Sequence, residues 1–206
     1  MHLIISRIVV MLMALMLTCT AFAQSEAPDL MLKRVTQELI TALRQHDSEL
    51  QSNPNNIYPI IDKILVPHID WDAMAHWVVG RAAWDRSTQA QRVRFSKEFK
   101  DLLVRTYAST LRAYNNQTIE YLPIRGGIAG KNRVLVASLI KESGREPIKV
   151  TYRMALKGNT WLVYDISIEG VSLLKGFQSQ FEQEVRQKGL DALSDRLHHH
   201  NEKPLR

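Results

Sequence analysis

The spacing of apolar residues changes twice along this chain of 206 residues. Before Thr118, apolar residues recur every three to four positions, which predicts amphipathic helices. Between Thr118 and Ile168 they tend to alternate with polar residues, which predicts β-strands. From Val171 the helical spacing returns. Helices, then closely spaced strands, then helices again is the order of an α+β fold rather than of alternating βα units.

Cap and turn residues divide the first helical part. Asp70 is placed to cap one helix, and Gly80 ends it. Thr88, with Gln91 three positions later, forms a capping box at the start of a long helix. The predicted helices cover residues 28–49, 57–65, 71–79 and 88–114.

Turn residues also separate the strands. Clusters of glycine and polar residues follow each period-two run, and strands this close in sequence should form an antiparallel meander. The predicted strands cover residues 118–122, 133–141, 148–156 and 160–168. A closing helix is predicted over 171–187, followed by Gly189 and a short helix to Leu197.

The two faces of the predicted sheet differ in character. On the third strand, Val150, Tyr152 and Met154 share one face, while Lys149, Thr151 and Arg153 share the other. The second strand is apolar on both faces, so both faces need cover. One explanation is a core on each side. The other is a hydrophobic cavity on one side, and the pattern alone leaves both open.

The first 23 residues predict the compartment. Residues 1–23 contain one cation, Arg7, then an apolar run over 8–17, then Ala21-Phe22-Ala23, which is the pattern of a cleaved secretory signal peptide. Cleavage there removes Cys19, the only cysteine, so the mature chain forms no disulfide. It keeps 26 of the 27 basic residues against 21 acidic ones, a balance that favours anionic partners. An exported chain without a run of Lys and Arg is not expected to bind nucleic acid.

The sequence lacks the familiar catalytic arrangements. No G-x-S-x-G motif is present, the sole cysteine lies in the signal peptide, and no pair of histidines has H-x-x-x-H spacing. Asp165 and Glu169 remain as paired carboxylates, which are the groups of general acid and base catalysis. They can also be structural groups bound to cations or backbone N–H groups, and we favour that interpretation. No catalytic residue, metal site or cofactor is therefore expected.

The chain resembles the MlaC family of periplasmic phospholipid-binding proteins, also called toluene-tolerance auxiliary proteins. The similarity rests on the order and spacing of several blocks across nearly all of the mature chain. These blocks are 66–75 (VPHIDWDAMA), 79–81 (VGR), 89–95 (QAQRVRF), 99–107 (FKDLLVRTY), 147–154 (PIKVTYRM), 163–166 (VYDI) and 168–173 (IEGVSL).

The resemblance implies a soluble lipid shuttle. Its fold would be an antiparallel four-stranded curved sheet packed with several helices around a hydrophobic pocket, an NTF2-like cone with a helical extension. Its cargo would be a glycerophospholipid. Its partners would be an inner-membrane ABC transporter complex with an MlaD-type subunit and an outer-membrane lipoprotein–porin complex of MlaA type. We expect a monomeric domain over 24–197 and a flexible tail over 198–206.

The expected pocket lining is drawn from apolar residues of the helices and the sheet, and Gly170 is the expected hinge between strand and helix. Two other functions stay open: a small exported enzyme using Asp165 or Glu169, and a periplasmic chaperone for acylated proteins. The expected lining residues are Met74, Val78, Leu103, Tyr107, Leu111, Val150, Tyr152, Met154, Val163, Ile166, Val171, Leu174, Phe177 and Phe181.

Overall fold

The computed structural model describes residues 25–112, 114 and 117–203, so the predicted signal peptide 1–23 lies outside the described residues. No helix within these ranges is both long and apolar enough to cross a membrane. The described helices are α1 (Pro28–Gln45), α2 (Asp47–Ser52), α3 (Ile57–Ile64), α4 (Trp71–Val79), α5 (Arg81–Arg86), α6 (Gln89–Arg112) and α7 (Leu173–Asn201), with 3-10 turns at Pro54–Asn56 and Val66–His68.

The strands form one antiparallel sheet in sequence order, which confirms the predicted α+β fold with a meander. A fifth strand of two residues joins the four that were predicted. It forms because Glu169 and Gly170 both adopt positive φ angles, 49° and 81°, and reverse the chain in a two-residue hairpin turn. The strands are β1 (Thr118–Tyr121), β2 (Arg133–Lys141), β3 (Ile148–Lys157), β4 (Thr160–Ile168) and β5 (Val171–Ser172).

A β-bulge in β4 changes which side chains share a face. The pairing with β3 shifts between Arg153 and Met154, so Arg153 lies opposite Asp165 while Met154 lies opposite Val163. Tyr164 is the extra residue, and its ring lies under the guanidinium of Arg133. Strict alternation places Tyr164 on the same face as Ile166, and this expectation is wrong. The bulge turns Tyr164 to the opposite face, beside Asp165.

Helix α1 covers one end of the sheet. Its residues Met31, Leu32 and Val35 are buried against the face that carries Val136 and Met154, which we call the inner face. The Tyr121 hydroxyl lies 2.6 Å from that of Thr36 and donates to the carbonyl of Leu32, which fixes the first strand against the helix. The opposite face, which carries Leu135 and Arg153, is called the outer face.

The remaining long helices form a second apolar cluster beside the sheet. Helix α4 starts at the sheet edge, where the Asp70 N–H donates to the carbonyl of Val163 at 2.8 Å and the Asp70 carboxylate caps the helix through the N–H of Ala73. The predicted capping box of Thr88 and Gln91 is present at the start of α6. Packed phenylalanine rings join α6 to α7, and these rings belong to Phe95, Phe99, Phe177 and Phe181.

The last helix bends back along α6 after Gly189, whose backbone is not helical. The predicted boundary of the folded domain is Leu197, but α7 continues to Asn201. His198 Nδ1 lies 3.1 Å from the carboxylate of Glu98, and the side chain of Asn201 donates to the same carboxylate at 3.0 Å. These contacts join the end of α7 to the middle of α6.

The buried carboxylate of Glu98 makes this junction sensitive to acid. Burial opposes its ionisation, but hydrogen bonds from Asn201 and His198 and the charge of Lys97 outweigh burial and hold the pKa of Glu98 below the usual range. Because the folded pKa is lowered, the unfolded chain binds the proton first as the pH falls. The stabilisation is therefore complete above the ordinary glutamate pKa of about 4.3 and is lost below it.

We predict that Glu98→Gln lowers the free energy of unfolding by about 1 kcal/mol at pH 7, because a charge-assisted hydrogen bond becomes neutral. Urea denaturation at several pH values measures this. The difference from the parent protein should shrink as the pH falls from 5 to 3. A difference that is constant over this range would mean that the carboxylate charge contributes nothing.

Candidate functional site

The inner face of the sheet is covered at one end only. Near α1, Trp161 of β4 is 3% exposed and Met154 of β3 is fully buried. At the other end of the same strands, Ile168 is 38% exposed and Ile148 is 46% exposed. These residues share one face, as the pairing of Val150 with Ile168 and of Ile140 with Ile148 shows. The apolar surface of the sheet therefore extends beyond the helix that covers it.

Two helix ends lie beside this uncovered part. Helix α6 ends at Arg112, with five residues between it and the start of β1 at Thr118, and α7 starts directly after β5. At the uncovered end, β1 pairs with Lys141 of β2, and β5 pairs with Ile168 of β4. The connections thus bring the C-terminal end of α6 and the N-terminal end of α7 to the same end of the sheet.

Half-buried apolar side chains occur where these elements approach. The described residues form three buried clusters: one among α4 to α7, one between α1 and the sheet, and one around α3 and α6. Tyr107 and Phe177 lie at the edge of the first cluster, Tyr152 and Ile166 at the edge of the second, and Leu111 at the edge of the third. These five residues and the uncovered sheet end are the candidate lining of an apolar site, which we call the apolar cleft.

The fourteen residues predicted to line a pocket fall into three groups. Five of them border the cleft as half-buried side chains: Tyr107, Leu111, Tyr152, Ile166 and Phe177. Val150 is buried on the inner face between them and the rim, and Val171 is exposed on β5. The rest are buried inside the helical cluster (Met74, Val78, Leu103, Leu174 and Phe181) or beneath α1 (Met154 and Val163).

Two of the five half-buried residues are tyrosines, Tyr107 and Tyr152. Burial raises the pKa of Tyr107. Burial also raises the pKa of Tyr152, against smaller opposing contributions from Ser138 and Tyr121. These hydroxyls therefore carry no charge at physiological pH. They can donate hydrogen bonds without placing an ion in an apolar surrounding, where an unpaired charge is costly.

Asp165 and Glu169 have structural partners. Asp165 lies buried on the outer face, where it accepts a hydrogen bond from the Ser172 hydroxyl at 3.0 Å and lies 3.4 Å from Arg153. Ser172 in turn caps α7 by accepting from the N–H of Lys175. The carboxylate of Glu169 accepts from the N–H of Lys149 and stabilises the hairpin turn. Both acids thus hold the junction of sheet and helix.

Sequence reasoning did not name Ile140, Ile148 and Ile168 as site residues. They share the inner face with Val150 and lie at its uncovered end. The alternation along each strand places them on the same face as Tyr152 or Ile166, and this pattern could have identified them as site residues. The sequence does not give the position of α1 on the sheet. That position is set by long-range contacts, and it decides which end of the inner face stays uncovered. The described residues contain no cluster of three or more His, Cys, Asp or Glu suited to a metal ion.

The family profile described as MlaC protein matches residues 33–199. The chain belongs to the MlaC family. Among curated relatives, "Toluene tolerance protein ttg2D" of Pseudomonas putida is 28% identical over 167 residues, which cover 81% of this chain and 77% of that protein. The "Intermembrane phospholipid transport system binding protein MlaC" of Haemophilus influenzae is 26% identical over 198 residues, which cover 94% of this chain and 91% of that one.

A solved structure also matches this MlaC-family fold. It is the phospholipid-binding protein from Ralstonia solanacearum in complex with a phospholipid, at 28% identity and a TM-score of 0.77. The match covers 85% of this chain and 97% of that one. The predicted family and fold class are thereby confirmed.

We predict that Ser172→Ala lowers the free energy of unfolding by about 1 kcal/mol, because α7 loses its N-terminal cap and Asp165 loses a donor. Thermal or urea denaturation measures the change. Ser179→Ala serves as the matched control, since the Ser179 hydroxyl donates to the carbonyl of Lys175 within the same helix and faces solvent. Equal effects of the two substitutions would show that the Asp165–Ser172 contact does not stabilise the junction.

Proposed function

We propose that this protein is a periplasmic phospholipid carrier that holds the acyl chains of a glycerophospholipid in the apolar cleft. One observation carries the proposal. Ile148 and Ile168 remain substantially exposed on the inner face, although the neighbouring Met154 and Trp161 on that face are buried. Exposed large apolar side chains at one end of an otherwise buried sheet face are candidate contacts for an apolar ligand.

The physical chemistry of the cargo suits this cleft. Removing each CH₂ group of an acyl chain from water contributes about 0.8 kcal/mol, so two chains supply a large driving force. The charged head group would lose several kcal/mol of hydration if it were buried without partners, so it stays at the rim in contact with water. Binding and release break no covalent bond, and Asp165 and Glu169 already have structural roles.

Membership of the MlaC family supports the same conclusion. The Ralstonia solanacearum protein, which shares the fold at 28% identity, is described with a bound phospholipid, and the Haemophilus influenzae relative is named for intermembrane phospholipid transport. For this chain, residues 1–23 support export to the periplasm. We propose that it works as a monomer and passes lipid between an outer-membrane lipoprotein–porin complex of MlaA type and an inner-membrane ABC transporter complex of MlaD type, maintaining outer-membrane lipid asymmetry.

We propose that only seven of the fourteen expected lining residues contact the acyl chains before the helices move. The five half-buried residues Tyr107, Leu111, Tyr152, Ile166 and Phe177 would contact the chains first, with Val150 beneath them and Val171 at the rim. Met74, Val78, Leu103, Met154, Val163, Leu174 and Phe181 would join only when the helices separate from the sheet.

Organic extraction and native mass spectrometry of the purified mature protein test the proposal. We expect a bound diacyl phospholipid. Ile166→Glu should lower the bound fraction by about tenfold or more, because a carboxylate beside the chains costs several kcal/mol to bury. Val93→Glu is the control, since Val93 is exposed near the start of α6, away from the cleft.

A parent protein that is empty, and stays empty after incubation with phospholipid vesicles, would overturn the carrier function. Equal loss of lipid in the Ile166→Glu and Val93→Glu variants would show that the cleft is not the site.

A second test concerns the turn that joins sheet and helix. Gly170 has a φ of 81°, a conformation that costs an alanine about 1 kcal/mol. If Glu169 and Gly170 are the hinge on which α7 moves, Gly170→Ala should change the rate of lipid transfer between vesicles by several-fold. Gly158→Ala, at a positive-φ turn between β3 and β4, is the control for backbone strain. An unchanged transfer rate in Gly170→Ala contradicts the hinge.

A further inference from the structure

A groove of about 620 Å³ lies against the outer face of the sheet, on the side opposite the apolar cleft. Its floor is the outer face of β2 and β3, and its wall is the loop between β1 and β2. The floor carries Leu135, which is 56% exposed, and Ala137. A large apolar side chain that is exposed at the centre of a sheet face is available for contact with another molecule.

The rim of this groove is strongly basic. Five cationic residues line it, and none of the described residues that line it is acidic. Arg153 is partly neutralised by Asp165, and Arg133 lies over the ring of Tyr164. The side chains of Arg125 and Lys149 make no ion pair with any described residue and are exposed. An anionic partner is therefore the electrostatic complement of the groove.

The groove also borders an unpaired strand edge. The ladder between β1 and β2 ends where Leu122 donates to the carbonyl of Ala137 at 2.8 Å, because the next residue, Pro123, has no N–H to donate. By the period of two along a strand, the N–H and C=O of Leu135 point to this same edge. The pairing with β1 covers only residues 138–141 of β2, and among the described residues no backbone hydrogen bond from a turn or loop reaches Leu135. Free edge groups of this kind pair readily with an extended chain.

The loop that forms the wall is held in place. Lys131 donates to the carbonyls of Gly126 at 2.7 Å and of Gly127 at 2.9 Å, which ties the turn together. Ile124 and Ile128 pack against the cluster between α1 and the sheet. The loop is thus anchored to the inner side of the protein, and the space on the outer side stays open.

We propose that this groove docks an acidic, extended segment of a partner protein, which adds to the free edge of β2. Backbone pairing with Leu135 supplies affinity, apolar side chains of the segment contact Leu135 and Ala137, and its carboxylates face Arg125 and Lys149. A flat membrane surface satisfies the charges but can neither enter the concave floor nor pair with the strand edge. The groove lies on the other face of the sheet from the cleft, so this docking does not depend on the cargo.

Fluorescence anisotropy with a labelled ten-residue peptide, acetyl-(Asp-Val)₅-amide, tests the proposal on the mature protein. We expect saturable binding that weakens as salt is added. The same peptide with N-methyl groups on alternate residues keeps its charge but cannot complete a strand ladder. It should bind about tenfold more weakly or worse, a loss that corresponds to removal of backbone hydrogen bonds.

A double substitution, Arg125→Glu with Lys149→Glu, should weaken peptide binding by about tenfold or more. The control is Arg186→Glu with Lys188→Glu, which makes the same change in net charge on exposed positions of α7 and should leave binding within about twofold. Phospholipid extracted from each variant reports separately on the cleft. If the groove variant loses peptide binding but still carries lipid, the result supports the groove as the docking site. If the parent protein carries no lipid but still binds the peptide, the result refutes the carrier function and leaves the docking proposal standing.

Three results would overturn the docking proposal. The first is that the methylated and unmethylated peptides bind equally well. The second is that the control variant loses as much peptide binding as the groove variant. The third is that the protein binds phosphatidylglycerol vesicles through the groove but does not bind the peptide. Self-association that disappears in the Arg125→Glu, Lys149→Glu variant, again without peptide binding, would assign the groove to a second copy of this chain instead.

Discussion

The partial cover of the sheet by helix α1 is the constraint on which the rest of this structure depends. The inner face is mostly apolar, but α1 packs against the end that carries Val136, Met154 and Trp161. The other end, with Ile148 and Ile168, is left to the ends of α6 and α7 and remains partly open.

The connections between sheet and helices maintain this opening. Asp70 attaches α4 to the edge of β4 by a backbone hydrogen bond, and Asp165 attaches the start of α7 through Ser172. These contacts hold the starts of α4 and α7 next to β4. The carboxylates that resemble a catalytic pair in the sequence are therefore part of the framework that joins sheet and helix.

Much of the fold could be predicted from the sequence because its signals are local. Turn residues marked the ends of the four long strands, and Thr88, Gln91 and Asp70 marked two helix starts. The bulge at Tyr164 and the short strand β5 were not predictable in this way, since both arise from how neighbouring strands twist and pair. The contact of His198 with Glu98 was not predictable either, because the two residues are about one hundred positions apart. The uncovered end of the sheet was not predictable because it depends on the placement of α1.

Paramagnetic relaxation measured by NMR tests the central claim most directly. A phospholipid with a nitroxide at the end of one acyl chain would be bound to protein carrying isotope-labelled Ile and Leu methyl groups. The account predicts strong broadening of the methyl signals of Ile166, Ile168 and Leu111, and little change for Leu135 on the outer face of the same sheet. Broadening of Leu135 with Ile166 and Ile168 unaffected would contradict it.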